Sequence, residues 1–407
     1  MAINNDITII GGGIAGLTLA ILLGQIEIDV HLVEPRPPGP LKGTRPTSRT
    51  IALMESSLNI IKAANIWDQI EQYANPLQAM RIIDDSKPGA TIIDKEFPAQ
   101  EIDMEQFGFN IPNAILRAAL YETAQNTPNI TLHTADSLSN YETSKQNTQI
   151  TLESGTKITS KLIIGADGRN SLVRKTAGIK EQNKIYDQSA ITCLINHSQS
   201  HNNTATEFHR PSGPLAFVPL PGNQCSVVWV EKTEQAKTLT ALKKNEFIQA
   251  LQDRSNNILG GITLEDGPEC WPLSSIKAKS LTAERTALIA EAAHVMSPIT
   301  AQGLNLSLRD VAALAETIAD AIRLGLDPGT QTILNKYGRR RRIDVNTRVF
   351  GVDGMNQIVS NNTGTIKSLR RQGLKTATAL PPLKRFAMQT GLAPQIDQGR
   401  LAKGQKL

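Results

Sequence analysis

Residues 11–16, GGGIAG, stand between the β-branched run DITII (6–10) and the apolar segment IAGLTLAILL (14–23), and no other feature restricts the fold so closely. DITII suits a short, fully buried strand. The segment after it is apolar on nearly every side, as a helix enclosed in an α/β core must be. DVHLVE (29–34) then reads as a second strand. Strand, helix and strand within about 30 residues form a βαβ unit with parallel strands and a right-handed crossover. In that setting the GxGxxG spacing has a physical meaning. Gly11 permits the tight turn, Gly13 lets backbone approach a pyrophosphate, and Gly16 lets the helix pack closely on the sheet. The helix start at Ile14 and Ala15 offers free N–H groups and the positive dipole end to phosphate. Glu34 ends the second strand about 20 residues further on, placed to accept hydrogen bonds from ribose hydroxyls. The unit predicts dinucleotide binding and does not by itself distinguish FAD from NAD.

A chain of 407 residues has room for a second module. Pro and Gly crowd residues 35–46, which must be loop, and helical spacing resumes over 48–61. Short alternating segments at 81–84 and 91–94 suit antiparallel strands, and 111–124 is a helix candidate. Strands are expected at 150–152 and 162–164. Residues 189–271 are strand-rich again (AITCLI, TEFHR, LAFVPL, CSVVWV). A last buried strand at 287–290 precedes a loop and a helix from Gly303. The fold class that follows is α/β. A Rossmann-like dinucleotide-binding domain takes 1–75, 103–180 and 276–330, with a mostly β substrate domain, 76–102 and 181–275, inserted into it. Residues 331–407 form a helical C-terminal region ending in a frayed polar tail, GRLAKGQKL.

The N-terminus carries no basic and apolar leader, and no window reaches the roughly 18 apolar residues of a membrane span. Cys193, Cys225 and Cys270 are far apart and odd in number, which fits a reducing cytoplasm without disulfides or a zinc site, each thiol a buried small hydrophobe. Charge is uneven: from Gln331 onward there are 15 Lys/Arg against 3 Asp. Such a region is either a solvated helical face or a contact for an anionic membrane surface or an acidic partner. Nucleic acid is disfavoured as a partner, because no aromatic residues interleave with the basic ones.

Two further clusters bear on chemistry. LIIGADGRNS (162–171), with Arg174 following, is a strand running into a turn whose small residues admit a phosphate-bearing ligand, and Asp167 can anchor N–H groups of that turn. ALIAEAAH (287–294) leads through PITAQGLN (298–305), with Pro298 in the loop, to a Gly at a helix start. That helix N-terminus, aimed at a flavin pyrimidine, would stabilise negative charge on the reduced ring.

With these three motifs in this order, the chain resembles the group A flavoprotein monooxygenases built like para-hydroxybenzoate hydroxylase. Within them it is most similar to the ubiquinone-biosynthesis hydroxylases, through SRTIALMESSLNI, IPNAILRAAL, GLNLSLRDVAALAE and the C-terminal LRRQGL and LPPLKRFAM segments. The resemblance implies FAD as cofactor and NAD(P)H as transient reductant. O2 would add to the reduced flavin as a C4a-hydroperoxide, whose distal oxygen goes to an electron-rich ring carbon. It implies Arg49 at the FAD pyrophosphate, Arg117 and Asn113 also at the cofactor, and the N–H groups of Gly303 and Leu304 at the flavin ring. It departs from the family at Ala290–Glu291, where Gly-Asp is usual. Glu291 keeps the charge that meets the ribityl chain but is longer, and Ala290 adds a methyl where room is short. His294 reads as structural rather than as a proton carrier.

The substrate implied is an aromatic small molecule, a prenylated phenol, on a wall from the β domain that includes Phe217, Pro219 and Trp229. The alternatives that stay open are another FAD oxidoreductase acting on isoprenoid double bonds, and an FAD-binding non-catalytic subunit of a quinone-biosynthesis complex. The location expected is cytoplasmic, with the basic C-terminal region holding the protein at the inner membrane or its pathway partners.

Overall fold

The structure is a computed structural model that describes residues 3–85, 92–210, 212–297, 302–360, 381–392 and 399–407. The N-terminal unit forms as its sequence requires. Strand β1 (Ile3–Ile10) leads through the glycine turn into helix α1 (Ile14–Gly24), which is buried along nearly all of its length, and then to strand β2 (Val30–Glu34). β1 pairs in parallel with β2 on one side and with the strand Lys157–Gly165 on the other. The parallel array is completed by Ile130–Thr134 beyond β2 and by Thr286–Leu288 beyond Lys157–Gly165, with an antiparallel extension from Leu138–Thr143 and Thr148–Leu152. Burial on both faces explains why these strands read as continuous apolar runs.

Residues 48–61 are not one helix. Strand β3 (Thr50–Met54) comes first and the helix Glu55–Ala63 follows. β3 pairs antiparallel with Gly108–Pro112, directly before helix α2 (Asn113–Gln125). Long-range pairing thus overrides a local spacing that suited a helix.

The second large sheet has eight strands and is antiparallel apart from one parallel pair, Thr204–His209 with Ala79–Asp84. Its centre is made by β4 (Glu181–His197), β5 (Leu215–Leu220), β6 (Gln224–Glu231) and β7 (Ile262–Ala278). The helices Thr233–Thr240 and Lys244–Arg254 bury one of its faces in a separate apolar core that includes Phe208, Phe217, Trp229 and Phe247.

Helix α3 (Gly303–Arg323) packs against α1, and helix α4 (Gln331–Ser360) packs against α3. Helix α5 (Pro381–Leu392) sets Met388 into an apolar cluster with Ala52, Met54, Phe97 and Phe107. The tail is docked rather than frayed. Leu401 is fully buried and its N–H donates to Glu316 Oε1 at 2.9 Å. Asn59 Nδ2 donates to the Ala402 carbonyl at 3.1 Å, and Arg400 meets Asp320 at 2.7 Å. Polar composition gave no hint of this, because the partners lie on distant helices. Cys193 and Cys225 are buried as expected, whereas Cys270 is half-exposed.

Candidate cofactor and substrate site

Each glycine of the first turn answers to a different neighbour. Gly11 has φ +112°, and a Cβ there would lie 2.3 Å from the Ala166 carbonyl oxygen. A Cβ on Gly16 would lie 2.0 Å from the Gly11 carbonyl oxygen, which is why helix and turn can touch. Gly13 differs: a Cβ there would meet no atom within 4 Å. Its lack of a side chain therefore leaves open space in front of the first N–H groups of α1, at Ile14 and Ala15. The Ala166 N–H donates to the Ile10 carbonyl at 2.8 Å, which joins the GADG turn to the GGG turn.

Glu34 is buried at the end of β2. Its carboxylate accepts the Gly12 N–H at 2.6 Å and the Arg36 N–H at 2.7 Å, and Arg117 Nη2 lies 3.2 Å away. Arg117, from the first turns of α2, also donates to the carbonyls of Gly12 (3.0 Å) and Arg36 (2.7 Å). The structure thus brings Gly12, Glu34 and Arg117 into one unit. Asn113 opens α2, with its N–H on the Arg49 carbonyl at 3.0 Å and its Oδ1 buried without a hydrogen-bond partner. The Arg49 side chain is exposed and stacks over the Trp271 ring, 5.1 Å from its centroid, apart from the Glu34–Arg117 unit.

Asp167 Oδ2 accepts the N–H groups of Leu172 (2.7 Å) and Val173 (3.1 Å), the turn-anchoring role its position suggests. Burial raises its carboxyl pKa despite these bonds, and its Oδ1 is buried without a partner. Arg174 is almost fully buried and donates to the carbonyls of Arg169 (2.7 Å) and Ala292 (2.8 Å). It stitches the second motif to the third, a link that no local pattern reveals because Ala292 is more than 100 residues away.

In the third motif Ala290 has φ +55°, in the left-handed region that favours glycine. Glu291 is half-exposed and its Oε2 lies 3.6 Å from Arg169 Nε. His294 is buried with Nε2 2.6 Å from Asp310 Oδ2, so it has a structural partner in the protein. Pro298 lies outside the described residues. Gly303 and Leu304 begin α3, and Asn305 beside them bonds the Met54 N–H (3.0 Å) and the Ala52 carbonyl (2.8 Å), tying β3 to this helix start.

An adenine dinucleotide fits these features. The open face of Gly13 precedes a helix start, and Asn113 and Asp167 each keep a buried Oδ1 without a hydrogen-bond partner. Residues 4–349 match the family described as FAD binding domain. The chain belongs to the FAD-dependent aromatic monooxygenases. It is 31% identical over 384 residues to the ubiquinone hydroxylase UbiL of Rhodospirillum rubrum, covering 94% of this chain and 88% of that one. It is 29% identical over 390 residues to the 3-demethoxyubiquinol 3-hydroxylase of Escherichia coli, covering 95% and 98%. Among solved structures, the p-nitrophenol 4-monooxygenase PnpA of Pseudomonas putida shares the fold with a TM-score of 0.78 at 16% identity, covering 97% of this chain and 99% of that one.

FAD is the cofactor of this monooxygenase and NAD(P)H its reductant. Of the residues expected on a substrate wall, two lie in a packed core. Phe217 and Trp229 are buried among Phe247, Leu251 and Leu239, on the helix-covered face of the sheet. Pro219 shares the parity of Phe217 along β5, although its carbonyl accepts from Asn110 Nδ2 at 2.8 Å. The opposite face carries Val218, which packs with Met80, Ile82 and Ala205 against the β3 cluster, and Ser226, whose hydroxyl donates to the Ser48 carbonyl at 3.1 Å. Both faces of this sheet are covered, so alternation alone gave no sign of which one the two helices pack against. Among the described residues, no helix is long and apolar enough to cross a membrane.

Proposed function

We propose that this monooxygenase hydroxylates the aromatic ring of a prenylated phenol in ubiquinone biosynthesis, at the cytoplasmic face of the membrane. The observation that carries the reading is the near full-length match to UbiL, with all three cofactor motifs present in order. FAD, when bound, supplies O2 activation with electrons taken from NAD(P)H.

The chain's own part is to bind, orient and exclude water. The α1 N-terminus and the Gly13 gap receive the pyrophosphate. Glu34 keeps acceptor capacity for a ribose hydroxyl beyond its two backbone donors, since each carboxylate oxygen takes about two hydrogen bonds. In this reading Asn113, Arg49 and Asp167 also contribute to holding the cofactor, with Glu291 serving the ribityl chain and the N–H groups of Gly303 and Leu304 the flavin ring. Val218, Met80 and Ile82 offer an apolar, water-excluding wall for the ring and its tail.

Among the described residues, membrane contact rests on fewer charges than the sequence suggests. Arg340, Arg341, Lys384, Arg385 and Arg400 pair with Glu316, Asp310, Glu101, Asp103 and Asp320. What α4 presents outward is Lys336, Arg339 and Arg342 around Ile343, which is 67% exposed. That face suits an anionic lipid surface. Flotation with anionic vesicles at low salt, lost in an Ile343→Asp variant, is the expected result; recovery wholly in the unbound fraction would remove this part of the reading.

The main test is oxygen uptake. Protein reconstituted with FAD is expected to consume O2 and NAD(P)H on addition of a short-tailed prenylphenol and to give a product one oxygen heavier. NAD(P)H oxidation without O2 uptake would instead point to a reductase.

A further inference from the structure

Segments far apart in sequence converge on one carboxylate. Asp310, about two turns into α3, is fully buried. Its Oδ2 accepts the Ala290 N–H at 3.1 Å and lies 2.6 Å from His294 Nε2. Its Oδ1 lies 2.7 Å from Arg341 Nε, which comes from α4. Arg341 is also buried, and its Nη1 meets Asp344 Oδ2 at 2.7 Å; the same carboxylate oxygen accepts Arg309 Nε at 2.8 Å. Tyr337, one turn earlier on α4, donates to the Leu288 carbonyl at 2.8 Å. Helix α4 therefore grips the segment from Leu288 to His294 at both ends, directly through Tyr337 and through Asp310 by way of Arg341.

The segment needs such support. Ala290 occupies left-handed backbone space, which a non-glycine residue holds only where its surroundings over-determine it. Its neighbour Glu291 reaches toward Arg169 of the GADG turn. Burial works to raise the Asp310 carboxyl, but His294 and Arg341 outweigh it and hold the group below the usual carboxylate range. A firmly ionised acceptor is thus fixed opposite the strained N–H.

We propose that Asp310 and Arg341 are positioning residues for the cofactor: Arg341 orients the Asp310 carboxylate, which holds Ala290 in its left-handed turn and so sets where Glu291 stands. A basic tract that reads as surface charge becomes, at Arg341, part of the cofactor site's support. The inference rests on the FAD reading above.

The test is a fluorescence titration of FAD into flavin-free protein, with the full-length parent, Asp310→Asn, Ala290→Gly and the double variant, each checked by thermal melting. Asp310→Asn is expected to bind FAD about tenfold more weakly, as an acceptor loses its charge. Ala290→Gly is expected to change the parent's affinity less than about twofold and to recover about threefold in the Asp310→Asn background, because glycine adopts the turn without help. A purely structural role would lower the melting temperature without this selective rescue. If Asp310→Asn does not fold, Arg341→Lys takes its place with the same expected rescue, since lysine keeps the charge but not the fork. Parent-like affinity in the replacement, or an equal glycine effect in both backgrounds, would overturn the inference. A parent that takes up no FAD would instead overturn the cofactor reading on which it stands.

Discussion

The Arg117 guanidinium lies 3.2 Å from the Glu34 carboxylate and donates to the carbonyls of Gly12 and Arg36, so one side chain from α2 fixes both the glycine turn and the end of β2. The two residues are more than 80 positions apart, and only the packing of α2 against α1 makes them neighbours. Removing the guanidinium should loosen the dinucleotide cleft while leaving the core intact. Arg117→Ala is expected to weaken FAD binding about tenfold, or ~1.4 kcal/mol. Arg117→Lys should restore little of this, because one ammonium cannot span both carbonyls. Calorimetric titration with FAD reads both, and parent-like affinity in either variant would contradict the assignment.

The glycines of the first motif should separate folding from binding. Gly16→Ala places a methyl 2.0 Å from the Gly11 carbonyl oxygen, so it is expected to destabilise the protein by about 2 kcal/mol or more. Gly13→Ala meets nothing in the protein and should melt like the parent, yet lose FAD affinity where the methyl enters the pyrophosphate space. Paired melting and FAD titration measure the contrast. Equal melting losses in the two variants would show that the open face of Gly13 is not a ligand face.

Stability should fall in mild acid. His31 is buried and its Nδ1 lies 2.5 Å from His133 Nε2 on the neighbouring parallel strand. Burial, then the His133 ring, pushes His31 down to about 4 against the opposing pull of Asp29. Burial also lowers His133, opposed by Asp136. An unfolded histidine titrates near 6.5, so between about pH 6.5 and 4 the unfolded chain binds protons that the folded one does not. The contribution is therefore complete above that window and lost as pH falls through it, by up to about 1.4 kcal/mol per pH unit for His31. Denaturant melts from pH 7.5 to 5 should show the slope in the parent and a flatter one in His31→Gln; identical slopes would place the acid sensitivity elsewhere.

The two faces of the β sheet should respond differently to mutation. Phe217→Ala opens a hole in the helix-covered core and is expected to cost about 3–5 kcal/mol while leaving the substrate KM of the folded fraction unchanged. Val218→Ala, one residue on and pointing the other way, should cost less stability and raise KM several-fold. Steady-state kinetics beside denaturant melts distinguish them. A KM effect confined to Phe217 would reverse the assignment of the faces.

The sequence by itself determined what depends on local chemistry. GGGIAG with its flanks specified the βαβ unit, because turn, helix start and strand end are set within about 30 residues. Asp167 was legible as a turn anchor, since its donors at Leu172 and Val173 lie only five and six residues on. The Ala290 departure was visible only through the family resemblance, and its left-handed backbone emerged with the structure.

Tertiary structure alone decided what depends on distant neighbours. Thr50–Met54 became a strand because Gly108–Pro112 offered it hydrogen bonds, and the polar tail docked because Glu316 and Asn59 stood ready to satisfy its backbone. The direction of Phe217 and Trp229 was settled by the two helices that cover one face of their sheet. The basic run at 339–342 divided into exposed charges at Arg339 and Arg342, a half-buried one at Arg340 and a buried one at Arg341, according to where α3 placed its carboxylates. A residue's type and spacing fix the contacts it can make. Which of them it makes, and at what burial, is set by groups that the chain brings alongside only when it folds.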